Sequence, residues 1–526
     1  MFTYHLNSNT RMTTQKDEKN LFINRKEFYA IFIIISSIKV LLIPTYRSTD
    51  FEVHRNWLAI THSLPINEWY TSAKSQWTLD YPPFFGWFEF FLSQIASFID
   101  PNMLNIDNFN YESPLTILFQ RVSVIVTDLL LLYGVQEVSN IFHKTYHESL
   151  VFGFLSLCNI GLLLVDHIHF QYNGILTGIL LLSIANVMKS NIHVLAGATW
   201  FAILLNLKHI YLYIAPSFIV WLLKWYCLRS NQFFTRLIQL GIIVLAVTAI
   251  SFGPFIHQLP QVLSRLFPFK RGLVHAYWAA NVWSLYVGLD KILTVVWKQL
   301  GWLSSMHVQT ATMTGGLVQE SSLTVLASPT PLVTFIATIC SMLPALIILF
   351  SKKRENLKKE NMVRCLVICA LSSFMFGWHV HEKAILTAII PLGILATTNK
   401  ADAKLFLLLS STGHAAILPL LFPENLIIFK IGILVMYIMT VFLCLKNLFH
   451  SSLLYIHEWI YVLILPLISL YETVFHTICF GKKLPFFPLA LTSCYCSIGI
   501  LYCWIIYYYT YYTDYQLEKV RLEKKD

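Results

Sequence analysis

Apolar runs separated by short polar breaks fill most of the chain, at 27–45, 115–136, 150–166, 172–189, 194–207, 210–224, 237–256, 331–350, 363–377, 384–397, 403–421, 426–445, 453–470 and 487–510. Such runs predict membrane-spanning helices, because backbone polar groups inside a bilayer must be satisfied within the segment itself. The expectation is an all-α polytopic membrane protein, a bundle of about 14 transmembrane helices. The alternating strands of a membrane barrel are absent. Several runs are shorter than the ~20 residues of a straight span, so their ends should extend into flanking polar residues. The pair 194–207 and 210–224 is broken only at 206–209. The stretch PPFFGWFEFFLSQIASFI at 82–99 reads as an amphipathic helix lying along the interface, since Glu89 would otherwise face lipid.

Composition agrees with this pattern. The 526 residues are 56% hydrophobic and 13% charged, about half the charge of a soluble chain, and the mean hydropathy is +0.60. A net charge of +10 could suggest nucleic acid, but its distribution argues for positive cytosolic loops instead. SKKRENLKKE at 351–360 carries five basic and two acidic residues, whereas 46–113 carries eight acidic and three basic ones. Starting from a cytosolic tail at 1–26, alternation puts 225–236, 351–362 and the tail 511–526 on one side. The long loops 46–114 and 257–330, with 167–171 and 378–383, fall on the other. One membrane domain, 27–510, results, and the basic tail ahead of it argues for an uncleaved first span. The ten cysteines lie mostly in or beside apolar runs without zinc-type pairing, so packing explains them better than metal or disulfides.

The unusual polar residues gather on the acidic side. Thr49-Asp50-Phe51-Glu52 follows the first run at once; Asp50 could simply cap a helix there. In Leu79-Asp80-Tyr81-Pro82-Pro83 the prolines force an extended turn, and Asp80 too is either a cap or a functional group. Asp166-His167-Ile168-His169-Phe170-Gln171-Tyr172-Asn173 holds more donors and acceptors than a turn needs, although its HxH lacks a third metal ligand at a known spacing. Trp378-His379-Val380-His381-Glu382-Lys383 ends another run, where Lys383 could snorkel and pair with Glu382. Phe267-Pro268-Phe269-Lys270-Arg271-Gly272-Leu273 frames two cations suited to a phosphate, or to an ordinary surface. A transporter would place ionisable groups near the midplane on broken, repeated helices. Clustering at span ends favours an enzyme acting on a lipid-carried substrate.

STDFEVHRNW, LDYPP, DHIHFQYNG, FPFKRGL and WHVHEKAIL, in this order, resemble the dolichyl-phosphate-glucose-dependent glucosyltransferases of the endoplasmic reticulum, a family of the GT-C fold. The likeness covers nearly the whole chain after residue 27. TDFEVHRNWLAITHSLPI and VDHIHFQYNG are most similar to family members that add an α-1,3-linked glucose to the monoglucosylated, nine-mannose lipid-linked oligosaccharide; the sister activity adds the first glucose. The resemblance implies an endoplasmic-reticulum membrane protein with its active site facing the lumen. Its partners would be dolichyl phosphate glucose, a dolichyl-diphosphate-linked oligosaccharide and the bilayer, with no nucleic acid. Asp50 maps onto the family's catalytic base. Glu52, Asp80, His169, Gln171 and Asn173 are expected to bind sugar or support that base, and His381, Lys383 and Arg271 to hold the donor phosphate. No cofactor or metal is expected, because the donor is not a nucleotide sugar.

Overall fold

The computed structural model describes residues 26–190, 192–267, 272–275, 277–303, 323–353, 357–421, 423, 426–481 and 483–523. Among these the chain is helical, with one isolated β-bridge and no strand. Eight helices are long and apolar enough to cross a membrane: Pro114–Phe142, Tyr146–Phe170, His209–Cys227, Phe233–Leu266, Pro331–Ser351, Lys400–Leu420, Ile428–Phe449 and Phe487–Arg521. Asn173–Val187, Ile192–Leu207 and Ile456–Leu470 are apolar but shorter, and the first apolar run is helical over 26–41.

Of the fourteen expected runs, eight helices among the described residues have spanning length and apolarity, and several of the others are enclosed by protein. Leu386–Ala396 has only 11 residues, of which all but Thr387 are buried. Lys359–Phe376 is buried from Asn361 to Met375. Helices enclosed by protein need neither the length nor the uniform apolarity of a lipid-facing span. Phe233–Phe252 is the opposite case, with Ile238, Ile242 and Leu245 exposed on its outer face. At the C-terminus one helix runs from Phe487 to Glu523, so the tail expected from 511 continues the last helix.

Both long polar segments fold into helices. The segment 46–114 contains Thr49–Ser63 and Pro83–Ile99, and 257–330 contains Leu259–Leu266 and Val282–Gln299. Glu89 is fully buried and meets His54 Nδ1 at 2.7 Å, so its carboxylate is enclosed by protein. The lone lysine of the first run finds a partner as well: Lys39 Nζ lies 2.6 Å from Asp128 Oδ2, and His167 Nε2 meets the same oxygen at 2.8 Å.

Candidate functional site

Helix Thr49–Ser63 begins with Ser48, whose side chain accepts from the Asp50 amide at 3.1 Å. Ser48 therefore fills the capping role that Asp50 could have taken, and the Asp50 carboxylate is released to point elsewhere. The Ser48 amide and hydroxyl both donate to the His169 carbonyl, at 3.1 and 2.5 Å. This fastens the start of the helix to a π-helical turn, Val165–Phe170, a rare form frequently found at functional sites. Phe170 closes the turn with φ of 90°, a strained backbone for a bulky side chain. Arg121 locks the junction by donating to the carbonyls of Tyr46 and Ile168, at 2.9 and 3.0 Å.

Asp50 is held from three sides. Gln171 Nε2 donates to Oδ2 at 2.5 Å, Lys383 Nζ lies 3.2 Å from the same oxygen, and His169 Nε2 is 3.4 Å away. Burial alone would raise its pKa, but Lys383, His169 and Gln171 outweigh burial and hold the carboxyl well below the ordinary carboxylate range. Behind Gln171 stands a supporting chain: Asn173 Nδ2 donates to Gln171 Oε1 at 2.9 Å and to Asp166 Oδ1 at 2.8 Å. Asp166 Oδ2 accepts the Gly174 amide at 2.6 Å, and a Cβ on Gly174 would run into Asp128 Oδ1, so only glycine fits there.

Asp50, His169, Gln171, Asn173 and Lys383 line a cavity of about 940 Å³, the size of a small-molecule site. Asp80 lines it too. The following helix, Pro83–Ile99, has no side-chain cap, so Asp80 does not serve as one; Asn56, Trp57 and Tyr70 pin its loop by donating to the carbonyls of Trp77, Thr78 and Tyr81. His381 lines the cavity as well, and burial first, then His275, Lys383 and His379, hold its pKa well below the ordinary imidazole value. It is a neutral ring near neutral pH.

Glu52 is not brought to the cavity. Two helical positions from Asp50 it points about 200° around the axis, where Arg55 Nε and Nη2 meet its two oxygens at 2.7 Å each. Arg55 also donates to the carbonyls of Met103 and Asn105, so Glu52 anchors a loop. Glu52 was expected to bind sugar or support the base; its carboxylate is taken up by Arg55 instead. The two histidines of HxH face different carboxylates, His167 toward Asp128 and His169 toward Asp50, and cannot bind one metal together. Lys383, expected at the phosphate, pairs with Asp50 rather than Glu382. Arg271 lies outside the described residues.

Sequence reasoning missed Lys208 and His275, both on the cavity wall. Lys208 Nζ donates to Asn173 Oδ1 at 3.0 Å and stands 5.0 Å from the Tyr81 ring centre. Burial, then repulsion from Lys383, brings its pKa down to about 7. The signal was present in the break at 206–209, since a lysine between two apolar runs requires a buried partner. His275 gave no comparable sign, because it reaches the site through a bridge between Val274 and Val380.

The arrangement suits two tasks. An ionised, oriented carboxylate can take a proton from a hydroxyl, while Lys383, Lys208 and a neutral imidazole can receive an anion. Comparison with known proteins identifies the family. The Bos taurus protein "Dolichyl pyrophosphate Glc1Man9GlcNAc2 alpha-1,3-glucosyltransferase" is 49% identical over 509 residues, covering 93% of this chain and 96% of the relative. The Drosophila melanogaster "Probable dolichyl pyrophosphate Glc1Man9GlcNAc2 alpha-1,3-glucosyltransferase" is 47% identical over 91% of this chain and 94% of its own length. An Arabidopsis thaliana protein with the Bos taurus name is 41% identical, over 92% and 97%. With residues 35–507 also matching the family's own pattern, the chain belongs to the ALG6, ALG8 glycosyltransferase family.

Proposed function

We propose that this protein transfers glucose from dolichyl phosphate glucose to the monoglucosylated lipid-linked oligosaccharide Glc1Man9GlcNAc2-PP-dolichol, forming an α-1,3 bond with inversion. The names of its relatives and the Asp50 cavity support this reading together. The cavity faces the lumen of the endoplasmic reticulum, where the N-glycan precursor is completed.

The acceptor 3-hydroxyl attacks the anomeric carbon on the face opposite the phosphate, and its proton passes to the Asp50 carboxylate. The bond from the anomeric carbon to the phosphate oxygen breaks, and dolichyl phosphate leaves with the electron pair. Glycosidases generally need a second carboxyl because a sugar alkoxide leaves poorly; a phosphate leaves as a stabilised anion, so one base suffices and no cofactor takes part in the transfer. In the free protein Lys383 makes Asp50 a weak base. A donor phosphate draws Lys383 toward itself, and Asp50 gains basicity as the donor settles. Gln171, with Asn173 and Asp166 behind it, keeps the carboxylate aimed while this happens. His169 adds a second contact to it, Asp80 is placed to hold a sugar hydroxyl, and His381 donates to the phosphate.

The lipid chain has a route out. One cavity wall is helix Pro331–Ser351, through Thr334, Phe335, Thr338, Ile339 and Met342, and Phe335 and Ile339 are also exposed on the outer apolar surface. A polyprenyl chain leaving the phosphate along this wall stays in an apolar environment. Filling the wall with Thr338→Trp is expected to raise KM for the donor about 10-fold while leaving KM for the acceptor and kcat little changed, since a uniform loss of binding leaves kcat alone; an equal fall of kcat with unchanged donor KM would remove the chain from this wall.

Purified protein given dolichyl phosphate glucose and each acceptor in turn tests the function. Transfer to the monoglucosylated glycan alone is expected. Transfer to the non-glucosylated glycan would assign the sister activity, and transfer to neither, with substrate flux across vesicles, would make the protein a transporter.

A further inference from the structure

The segments 272–275 and 378–382 meet edge to edge beside the cavity. The His379 amide donates to the Leu273 carbonyl at 3.0 Å, and Val274 bridges Val380 in parallel. This pairing gathers His275, His379 and His381, so that a ring nitrogen of each lies within 4.8 Å of the other two. The rings of His275 and His381 are 3.8 Å apart between centres.

Their outer contacts matter as much as their proximity. His379 Nδ1 donates to the Gly272 carbonyl at 2.7 Å, which fixes the tautomer and leaves the lone pair on Nε2. His275 Nδ1 stands 3.3 Å from Oε2 of Glu382, a carboxylate only 1% exposed; this is a close approach, not aligned as a hydrogen bond. His381 Nδ1 is buried without a hydrogen-bond partner among the described residues. Metal-binding histidines are oriented as His379 is, one ring nitrogen held by a carbonyl or carboxylate while the other faces the ion. His379 is further kept in place by a φ of 49°, a left-handed backbone uncommon outside glycine. Three imidazoles with no thiolate among them suit Zn²⁺ or a neighbouring first-row ion, with a fourth position open.

We propose that His275, His379 and His381 form a site for one Zn²⁺-class ion, which clasps segment 272–275 to segment 378–382 along the cavity wall. The clasp lies outside the transfer chemistry: Asp50 accepts the proton without it. It shapes the wall on which His381 and Lys383 are carried, and because it pulls on His381, an occupied site and a bound donor influence one another.

The test uses the purified full chain, stripped with chelator and titrated with Zn²⁺ by calorimetry and with Co²⁺ by absorption. One ion per chain is expected, with a tetrahedral Co²⁺ spectrum free of sulfur-to-metal charge transfer. His275→Gln and His379→Gln should each weaken Zn²⁺ binding at least ~10-fold, and Glu382→Gln about 10- to 100-fold, with unfolding temperatures in chelator equal to wild type. Unchanged affinity in those folded variants would overturn the proposal. Should a variant not fold, the wild-type spectrum decides: a thiolate band would move the ion to cysteine, and no stoichiometric uptake would remove the site. None of these readings needs donor or acceptor, so they stand apart from the proposed activity.

Discussion

Asp50→Asn should lower kcat by at least ~100-fold, the usual worth of a positioned general base. The substitution keeps the shape and can still meet Gln171, so assembly and donor binding should survive, read as an unchanged unfolding temperature and an unchanged donor KM. The pH dependence of the wild type supplies a second reading. As the proposed base, Asp50 would act only when deprotonated; burial raises its pKa, but Lys383, His169 and Gln171 outweigh burial and hold it well below the ordinary carboxylate range. Falling pH should therefore leave kcat/KM intact through the ordinary carboxylate range before Asp50 is lost. In kcat, which reports the donor-bound state, the acid limb should lie higher, because Lys383 then also serves the phosphate. Near-normal turnover in purified Asp50→Asn would take the base role away from this residue.

The largest loss of stability is expected at Asp128, away from the reacting atoms. Its Oδ2 receives both Lys39 Nζ at 2.6 Å and His167 Nε2 at 2.8 Å, and all three side chains are buried. Asp128→Leu would leave the Lys39 ammonium buried and unpaired, and breaking such a pair costs about 3–5 kcal/mol. Lys39→Met combined with Asp128→Leu should regain most of that loss, since an apolar pair of similar volume is often neutral or better. Thermal unfolding of the single and double variants measures both. If the double variant is as unstable as Asp128→Leu alone, the cost lies in packing or in His167, and the ion pair is not what holds 26–41 to the following helices.

Much of this could be read in the chain. Asp50 drew attention because an acidic residue directly after an apolar run is costly without a purpose, and the structure aims it into the cavity with Ser48 as the cap. Gln171 and Asn173 were legible as excess hydrogen-bonding capacity in a break between runs, and in the structure they form a hydrogen-bonded chain that ends on the Asp50 carboxylate. Glu52 was misread because proximity along the chain stood in for direction around a helix. The sequence does not separate spans from enclosed helices for a related reason: apolarity reports burial, and Leu386–Ala396, with 11 residues, is buried by protein. Lys208 left a faint trace as a polar break. The three histidines could not be assembled from sequence, since the bridge joining Val274 to Val380 connects segments about a hundred positions apart and no local pattern encodes it.

A single displacement served by one carboxylate inverts the anomeric carbon, so the configuration of the product decides whether it operates. Purified protein should be supplied with β-linked dolichyl phosphate glucose and the monoglucosylated acceptor, and the new bond probed with anomer-specific glucosidases. Release by the α-specific enzyme alone is the predicted result. Release by the β-specific enzyme would mean retention through two displacements, and would contradict a mechanism in which Asp50 is the only base.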